Sequence, residues 1–358
     1  MKVCFIMNSF SLYPTGGAKM VFEYANRLSE RGYKVQMLYL NNKAWKKYHL
    51  PEGVRRWLVS RVSMISPTWF QLDKKVQKLS LYDTKLMDKT SDTDVFIVTA
   101  VTTVGISRKM FKDRKFAYFI QDYENWFVSD EYCQKTYALG MTNIVISQWL
   151  KGIVDKYSRT PSVLIKDPID LNIYKINTPV VQRKPHTIGV LYHSRPEKGL
   201  LYAIEALKRL KGEYSDLEVY MFGVPDRPKE FPVWIHYTKK ATQEQTVEIY
   251  NRVSVWLCAT IDEGFGLTSL ESMACGDILV STAYTGVLEY AEDGKNALLS
   301  PVKNVDALVE NVERVFEDEN LRNTLVQNAQ KSVQDFSWNI AVKKFEEALS
   351  MPQYGQSK

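Results

Sequence analysis

Two glutamates, Glu263 and Glu271, flank a short glycine-containing stretch that could do chemistry. An apolar run over 253–258 predicts a buried strand before it, and 268–274 predicts a helix. Glycines let a loop approach a ligand closely, and a helix N-terminus offers free N–H groups and positive charge to an anion. Because carboxylates repel phosphate, we expect both glutamates to accept hydrogen bonds from hydroxyl groups. The pattern indicates a ligand with phosphate between two hydroxyl-bearing ends, as in a nucleotide sugar.

Two cations follow the first strand predicted in the second half of the chain. They are Arg195 and Lys198, within Tyr-His-Ser-Arg-Pro-Glu-Lys-Gly. The guanidinium fork of Arg195 can grip a phosphate, and Lys198 can act beside it as a point charge. Solvated loop charges are the alternative interpretation.

A third segment, Tyr-Pro-Thr-Gly-Gly-Ala, follows the first strand of the chain and opens a long predicted helix. Gly16 and Gly17 would let the backbone approach a ligand at that helix N-terminus. The segment lacks the spacing of both the phosphate-binding P-loop and the dinucleotide fingerprint. A plain turn explains it equally well.

Taken in this order, the segments resemble the family 4 retaining glycosyltransferases of GT-B fold. The resemblance is dense from about Thr187 to Trp338, and looser in the first half. The further matching segments are Gly16–Ala18, Lys166–Asp170, Gly286–Tyr290, Asp293–Ala297 and Phe336–Trp338.

The resemblance implies a role for each matching residue. Glu271 would hold the ribose hydroxyls, Glu263 would lie beside the donor sugar, and Arg195 and Lys198 would neutralise the diphosphate. The separation of these two cations is shorter than is usual in the family, which leaves room for one of them to lie off the phosphates. The implied donor-binding set is Gly16, Gly17, Arg195, Lys198, Phe265, Gly266, Leu267, Thr268 and Glu271. The implied catalytic set is Glu263, Arg195, Lys198 and Asp122. No metal or other cofactor is expected, because such enzymes are typically metal-independent.

The first half departs from the family at the position near the donor sugar. Many relatives place a histidine there, whereas here the strand 116–120 is followed by Gln-Asp-Tyr-Glu, and His49 is the one histidine of the first half. The expected acceptor-side residues are therefore Gln121, Asp122, Tyr123 and Glu124. This run is similar to a subset of the family that includes bacterial rhamnosyltransferases.

The elements that must position these residues alternate as strand and helix, which predicts an α/β protein. We expect two doubly wound Rossmann-like domains facing a cleft, over 1–178 and 185–337, joined by the proline-marked stretch 177–185. A C-terminal helix at about 338–358 would return to the first domain. The predicted strands are 3–7, 34–40, 95–98, 116–120, 143–146, 162–165, 187–191, 217–222, 233–236, 253–258 and 278–281.

Charge separates the two halves of the 358-residue chain. Residues 1–180 carry a net charge of +11 and residues 181–358 a net charge of −5. The basic clusters contain Lys43, Lys46, Lys47, Arg55, Arg56, Lys74, Lys75, Lys78, Arg108, Lys109, Lys112, Arg114 and Lys115, with Trp45, Trp57 and Trp69 among them. Such a half suits an anionic membrane surface or a phosphate-bearing acceptor, and a solvated basic face is the alternative. No nucleic-acid motif accompanies the charge.

Other features point to a cytoplasmic protein. The N-terminal apolar run is too short for a signal peptide, and no apolar stretch is long enough to span a bilayer. The four cysteines are scattered without metal-ligand spacing, which is typical of reduced, buried thiols. Asp92 and Asp94, an acid pair of the kind that metal-using transferases need, precede a strand in the wrong half and predict only a solvated turn.

The sequence thus predicts a retaining, metal-independent glycosyltransferase acting on the inner face of the membrane. Its donor would be a UDP-, GDP- or dTDP-linked sugar, and its acceptor a hydroxyl of a glycan or lipid-linked molecule in bacterial surface polysaccharide synthesis. Two alternatives stay open at this point. One is a non-catalytic nucleotide-sugar-binding partner subunit, and the other is a sugar phosphorylase or hydrolase on the same fold.

Overall fold

A computed structural model describes residues 1–41 and 44–352 and divides the chain into two compact units. Unit 1 comprises Met1–Lys166 with Val342–Lys358, and unit 2 comprises Asp167–Ala341. Lys43 of the predicted basic clusters, and the end of the predicted C-terminal helix beyond residue 352, lie outside the described residues.

Unit 1 is a parallel seven-stranded sheet with the order β3-β2-β1-β4-β5-β6-β7. Its elements are β1 Lys2–Met7, α1 Gly16–Glu30, β2 Lys34–Tyr39, α2 Glu52–Ile65, β3 Gln77–Ser80, α3 Leu86–Thr90, β4 Val95–Val98, α4 Val101–Met110, β5 Phe116–Ile120, α5 Asp130–Tyr137, β6 Thr142–Val145, α6 Gln148–Val154 and β7 Val163–Leu164. The central strands are uniformly apolar because helices cover both faces of the sheet, and every residue of β4 and β5 is buried.

Unit 2 is a parallel six-stranded sheet with the order β10-β9-β8-β11-β12-β13. Its elements are β8 Thr187–Tyr192, α7 Leu200–Glu213, β9 Glu218–Gly223, β10 Ile235–Lys239, α8 Gln243–Tyr250, β11 Val255–Cys258, α9 Leu267–Ala274, β12 Ile278–Thr282, β13 Leu298–Ser300, α10 Val305–Glu317 and α11 Glu319–Ser332. In both units the strand order reverses beside the first strand, which is the arrangement that places ligands at the carboxyl edge of such sheets.

The last helix, α12 Trp338–Ser350, starts in unit 2 and ends in unit 1. Its Phe345 ring stacks on Tyr24 with ring centroids 4.3 Å apart, and the Leu349 carbonyl accepts a hydrogen bond from Lys115 at 2.7 Å. The predicted α/β architecture with a returning C-terminal helix is confirmed.

The structure corrects three details of the predicted strands. Two short strands at sheet edges, β3 and β13, are absent from the prediction because four and three residues are too few to show a period. The strand predicted at 233–236 starts instead at Ile235, since Pro232 and Val233 form a turn in which Val233 is 93% exposed.

The stretch 177–185, predicted as a linker, packs on unit 2. The buried Arg183 guanidinium donates to Asp277 at 2.8 Å and to the carbonyls of Tyr250 and Val253 at 3.0 and 2.9 Å. The boundary between the units falls earlier, at Lys166, since Ile169 already bridges to Ser337 within unit 2.

Candidate donor and acceptor sites

The loop between β11 and α9 has a backbone conformation that strongly favours glycine. Gly266 caps α9 with a φ of +91°, and a Cβ at this position would lie 2.0 Å from the Tyr284 hydroxyl oxygen. The Tyr290 hydroxyl donates to the Gly266 carbonyl at 2.8 Å and lies 3.1 Å from the Tyr284 hydroxyl. These two buried tyrosines fix the loop, so the first N–H groups of α9, at Leu267 and Thr268, point out of a rigid turn without carbonyl partners inside the helix.

Glu271 lies on the second turn of α9 and is only 6% exposed. The buried Tyr250 hydroxyl donates to its Oε2 at 3.2 Å. A carboxylate that is held in this way can accept hydrogen bonds from hydroxyl groups brought to its remaining lone pairs.

Glu263 forms an ion pair with Lys198, whose Nζ lies 2.7 Å from its Oε1. The pair joins the loop after β8 to the loop after β11, and both side chains are largely buried. Lys198 and Glu263, which the sequence analysis selected from separate segments, are therefore in direct contact in unit 2.

Arg195 pairs with its neighbour Glu197 instead and is about half exposed. Its backbone N–H donates to His193 Nδ1 at 3.1 Å. Burial, together with the charges of Lys198 and Arg195, lowers the pKa of His193, so this imidazole is a neutral acceptor at pH 7.

Glycines that the sequence analysis did not assign hold these loops against each other. Gly199 has a φ of +65°, and a Cβ there would lie 1.8 Å from the Ala259 carbonyl oxygen. A Cβ on Gly286 would lie 2.5 Å from the Phe265 nitrogen. The Ile261 N–H also donates to the Glu197 carbonyl at 2.8 Å. Two of the matching segments, Lys-Gly and Gly286–Tyr290, could have pointed to these close backbone contacts.

In unit 1 the predicted donor-side and acceptor-side segments also meet. Thr15 caps α1, and Gly17 faces Gln121 so closely that a Cβ would lie 3.3 Å from the Gln121 side-chain oxygen. Asp122 accepts a hydrogen bond from the Tyr123 N–H at 2.8 Å. The segments thus lie together at the carboxyl ends of β1 and β5.

Glu124 ends this group and caps α4. It accepts a hydrogen bond from the Val101 N–H at 2.5 Å. Burial raises the pKa of Glu124 to about 7, and the nearby charge of Asp122 acts in the same direction. Its carboxyl can therefore hold or release a proton near neutral pH.

Asp92 and Asp94 have a structural role at the start of the unit 1 sheet. The Lys2 side chain pairs with Asp92, and the Lys2 N–H donates to Asp94 Oδ2 at 2.7 Å. Across residues 1–41 and 44–352, no group of three or more His, Cys, Asp or Glu side chains is arranged to hold a metal ion. Within the same ranges, no helix has the length and apolar character needed to cross a membrane.

Parts of the sequence are similar to known glycosyltransferases. Residues 177–332 match the family described as glycosyl transferases group 1. An uncharacterized glycosyltransferase of Methanocaldococcus jannaschii is 24% identical over 220 residues, which cover 58% of this chain and 59% of that protein. The lipopolysaccharide 1,2-N-acetylglucosaminetransferase of Salmonella typhimurium is 23% identical, over 58% of this chain and 61% of that protein. The chain thus aligns with about three fifths of the length of these relatives.

Over almost its whole length, the chain is similar to a solved structure in its fold. The structure of Anabaena HepE in complex with UDP-glucose superposes with a TM-score of 0.75 at 16% sequence identity, covering 98% of this chain and 99% of that one. This likeness establishes the shared two-domain α/β fold.

Proposed function

We propose that the chain transfers a sugar from a nucleoside diphosphate to an acceptor hydroxyl, with retention at the anomeric carbon, because residues 177–332 match the glycosyl transferases group 1 and the whole chain shares its two-domain fold with Anabaena HepE. The observation that carries the proposal is the group around the α9 N-terminus. Glu263 with Lys198 lies before that N-terminus, and the buried Glu271 lies in the second turn of the helix. This arrangement suits a ligand with a diphosphate between a sugar and a ribose.

Each part of the donor would meet a matching group of unit 2. Glu271 would accept hydrogen bonds from the ribose hydroxyls, and Glu263 from hydroxyls of the transferred sugar. The diphosphate would lie at the N–H groups of Leu267 and Thr268, where the helix dipole favours negative charge. Lys198 would exchange part of its contact with Glu263 for a phosphate oxygen.

The reaction needs no enzymic base under this proposal. The bond between the anomeric carbon and the diphosphate oxygen breaks, and the diphosphate leaves with the electron pair while an oxocarbenium-like sugar forms. The acceptor hydroxyl oxygen bonds to the anomeric carbon on the same face, and its proton passes to the departing phosphate oxygen. Lys198, Arg195 and the α9 N-terminus stabilise the charge that gathers on the leaving group. No metal ion is assigned to this step.

The proposed acceptor and cellular setting are supported by one relative and by the charge of unit 1. The name of the Salmonella relative refers to lipopolysaccharide, which supports a glycan or lipid-linked acceptor in surface polysaccharide synthesis. The basic, aromatic-studded unit 1 supports work at the cytoplasmic face of an anionic membrane. The exposed side of α2, with Arg56, Trp57 and Arg61, is the surface we assign to that contact.

The test separates transferase, sensor and hydrolase. A thermal-shift panel of UDP, GDP and dTDP first identifies the base, because a ligand that binds the folded state raises the melting temperature. The matching nucleotide sugars are then incubated with glycan acceptors, and glycoside product and free sugar are measured. Product formation that falls at least about a hundredfold in Glu263→Ala supports the transferase.

Two outcomes oppose the proposal. Nucleotide binding without product from any acceptor favours a sensor, and free sugar released without acceptor favours a hydrolase. Lys295→Ala, which removes an exposed cation paired with Glu292 elsewhere in unit 2, is the matched control and should keep full activity. Activity that survives both Glu263→Ala and Arg195→Ala would show that the donor site lies elsewhere.

A further inference from the structure

An exposed pair of aromatic side chains follows the acceptor-side group in unit 1. Trp126 is 46% exposed and Phe127 is 60% exposed, and their ring centroids lie 5.9 Å apart. Burying a large apolar side chain is worth about 1.5–3 kcal/mol, so two adjacent exposed rings form a surface that gains by being covered.

The loop that carries the pair is anchored at both ends. Within it, the Asn125 N–H donates to the Tyr123 carbonyl at 2.8 Å, and the Phe127 N–H donates to the Glu124 carbonyl at 3.2 Å. Beyond it, the Ser129 side chain caps α5 by accepting from the Tyr132 N–H at 3.3 Å. The rings are therefore presented by a fixed turn, which lowers the entropy that a ligand must overcome to bind there.

The charges around Trp126 and Phe127 indicate which kind of ligand can bind there. Residues 121–134 contain four acids and no lysine or arginine. The acids are Asp122, Glu124, Asp130 and Glu131. Glu131 pairs with Lys135 at 2.7 Å, and Glu124 caps α4. A phosphate group would be repelled here, although unit 1 as a whole is strongly basic.

A second exposed patch lies on the loop that meets this one. Leu12 and Tyr13 are 40% and 54% exposed and precede the Gly16–Gly17 turn. Because Gly17 packs against Gln121, the loop after β1 and the loop after β5 are held together at the carboxyl edge of one sheet. The aromatic pair therefore belongs to the same edge as the acceptor-side residues.

We propose that Trp126 and Phe127 form a stacking platform for an uncharged sugar ring of the acceptor, with the neighbouring carboxylates accepting hydrogen bonds from its hydroxyls. A pyranose presents a face of weakly positive C–H groups, which packs on the negative face of an aromatic ring, and an edge of hydroxyls. Carboxylates accept hydrogen bonds only from donors, which hydroxyls supply and phosphate does not. The platform rests on the proposed function and narrows its acceptor to a neutral glycan end.

The test uses the full chain and simple neutral sugars. The probes are the methyl glycosides of glucose, galactose, mannose, rhamnose and N-acetylglucosamine, at tens of millimolar, with glucose 1-phosphate for comparison. Binding is followed by saturation-transfer NMR. We expect at least one glycoside to bind, and Trp126→Ala and Phe127→Ala each to weaken it by about tenfold or more. Trp126→Phe should keep most of the affinity, because the ring face remains.

The control is Tyr157→Ala, which removes an aromatic side chain that is 40% exposed elsewhere in unit 1 and should leave glycoside binding unchanged. Equal binding by Trp126→Ala, preference for glucose 1-phosphate, or no glycoside binding by the wild type would each overturn the platform. The nucleotide thermal shift is measured on the same samples. A normal shift with a failed platform leaves the donor proposal standing, and loss of that shift in the wild type sinks the proposed function itself.

Discussion

At the scale of single residues, the proposed donor site is built from groups that are held by close contacts. Gly266 has no room for a side chain, and Glu263 and Lys198 are tied to each other across two loops. Such pre-organisation favours a charged transition state, because the dipoles need not reorient during the reaction.

Replacing Gly266 with alanine should destabilise the fold and disrupt the proposed nucleotide site. The new Cβ meets the Tyr284 hydroxyl and also takes a backbone angle that costs L-residues about 1–2 kcal/mol. Gly294→Ala is the matched control, since its φ is +70° but nothing lies within 4 Å of the added carbon. In urea unfolding we expect a loss near 1 kcal/mol for Gly294→Ala and at least about twice that for Gly266→Ala. Equal losses would show that the clash relaxes freely.

The raised pKa of Glu124 should make the stability of the protein depend on pH. Because burial raises its pKa to about 7, above the value of about 4.5 in the unfolded chain, the stability that it contributes is full below pH 4.5 and is lost as the pH rises through 7. Glu124→Gln cannot ionise and still offers an oxygen to the Val101 N–H. Relative to wild type, its unfolding free energy should therefore rise between pH 5 and 8, by up to about 3 kcal/mol.

The control for this pH series is a variant of an exposed carboxylate. Glu131→Gln removes a solvent-exposed carboxylate whose pKa is lowered by Lys135, and its difference from wild type should stay flat from pH 5 to 8. Parallel profiles for wild type and Glu124→Gln would mean that Glu124 titrates as an ordinary exposed acid.

At the scale of elements, α9 combines two functions. Its N-terminus is the proposed anion site, and its second turn carries Glu271 against the Tyr250 hydroxyl at the end of α8. The packing of α8 on α9 thus decides where the carboxylate points, which a single strand-turn-helix segment cannot specify.

Removing the Tyr250 hydroxyl tests that positioning. Tyr250→Phe keeps the ring packed on Trp256, at 5.0 Å between centroids, but leaves Glu271 Oε2 without this donor. We expect about tenfold weaker binding of the nucleoside diphosphate that stabilises wild type most, measured by calorimetric titration. Tyr39→Phe removes a buried hydroxyl from unit 1 and should bind the nucleotide normally. An unchanged affinity in Tyr250→Phe would mean that α9 alone fixes the carboxylate.

At the scale of the whole molecule, charge separates the two units more sharply than the two halves of the sequence. Unit 1 carries 29 Lys and Arg against 16 Asp and Glu, whereas unit 2 carries 18 against 25. A net charge of +13 in unit 1 attracts an anionic surface over roughly the 10 Å of a Debye length at 0.1 M salt.

Vesicle binding should reflect this separation. The protein should sediment with phosphatidylglycerol-containing vesicles at low salt and be released at high salt. It should not bind vesicles made of phosphatidylcholine alone. Charge reversal in α2, Arg56→Glu with Arg61→Glu, should weaken binding more than the same reversal at the exposed Lys229 and Lys331 of unit 2. Equal weakening by both pairs would remove α2 as the contact surface, and no binding at low salt would remove the membrane from the proposal.

Much of the fold was readable from the sequence because its signals are local. Short apolar runs such as Val3–Met7 and Phe116–Ile120 indicate buried strands, and their alternation with amphipathic helices indicates a parallel sheet. The errors occur where local signals are short or misleading. The three residues of β13 show no period, and the proline-marked stretch around Arg183 resembles a linker although a buried guanidinium fastens it to unit 2.

By itself, the sequence determined the fold class, the resemblance of its second half to glycosyltransferases and the two glutamates around a glycine turn, because these depend on residue types at fixed spacing. Only the tertiary structure decided which charges pair. Lys198 reaches Glu263 across two loops while Arg195 turns to Glu197, and Tyr250 supplies the hydrogen bond to Glu271. Spacing along the chain cannot predict these contacts, since each joins residues that come close only when strands from distant parts of the sequence end at one edge of a sheet.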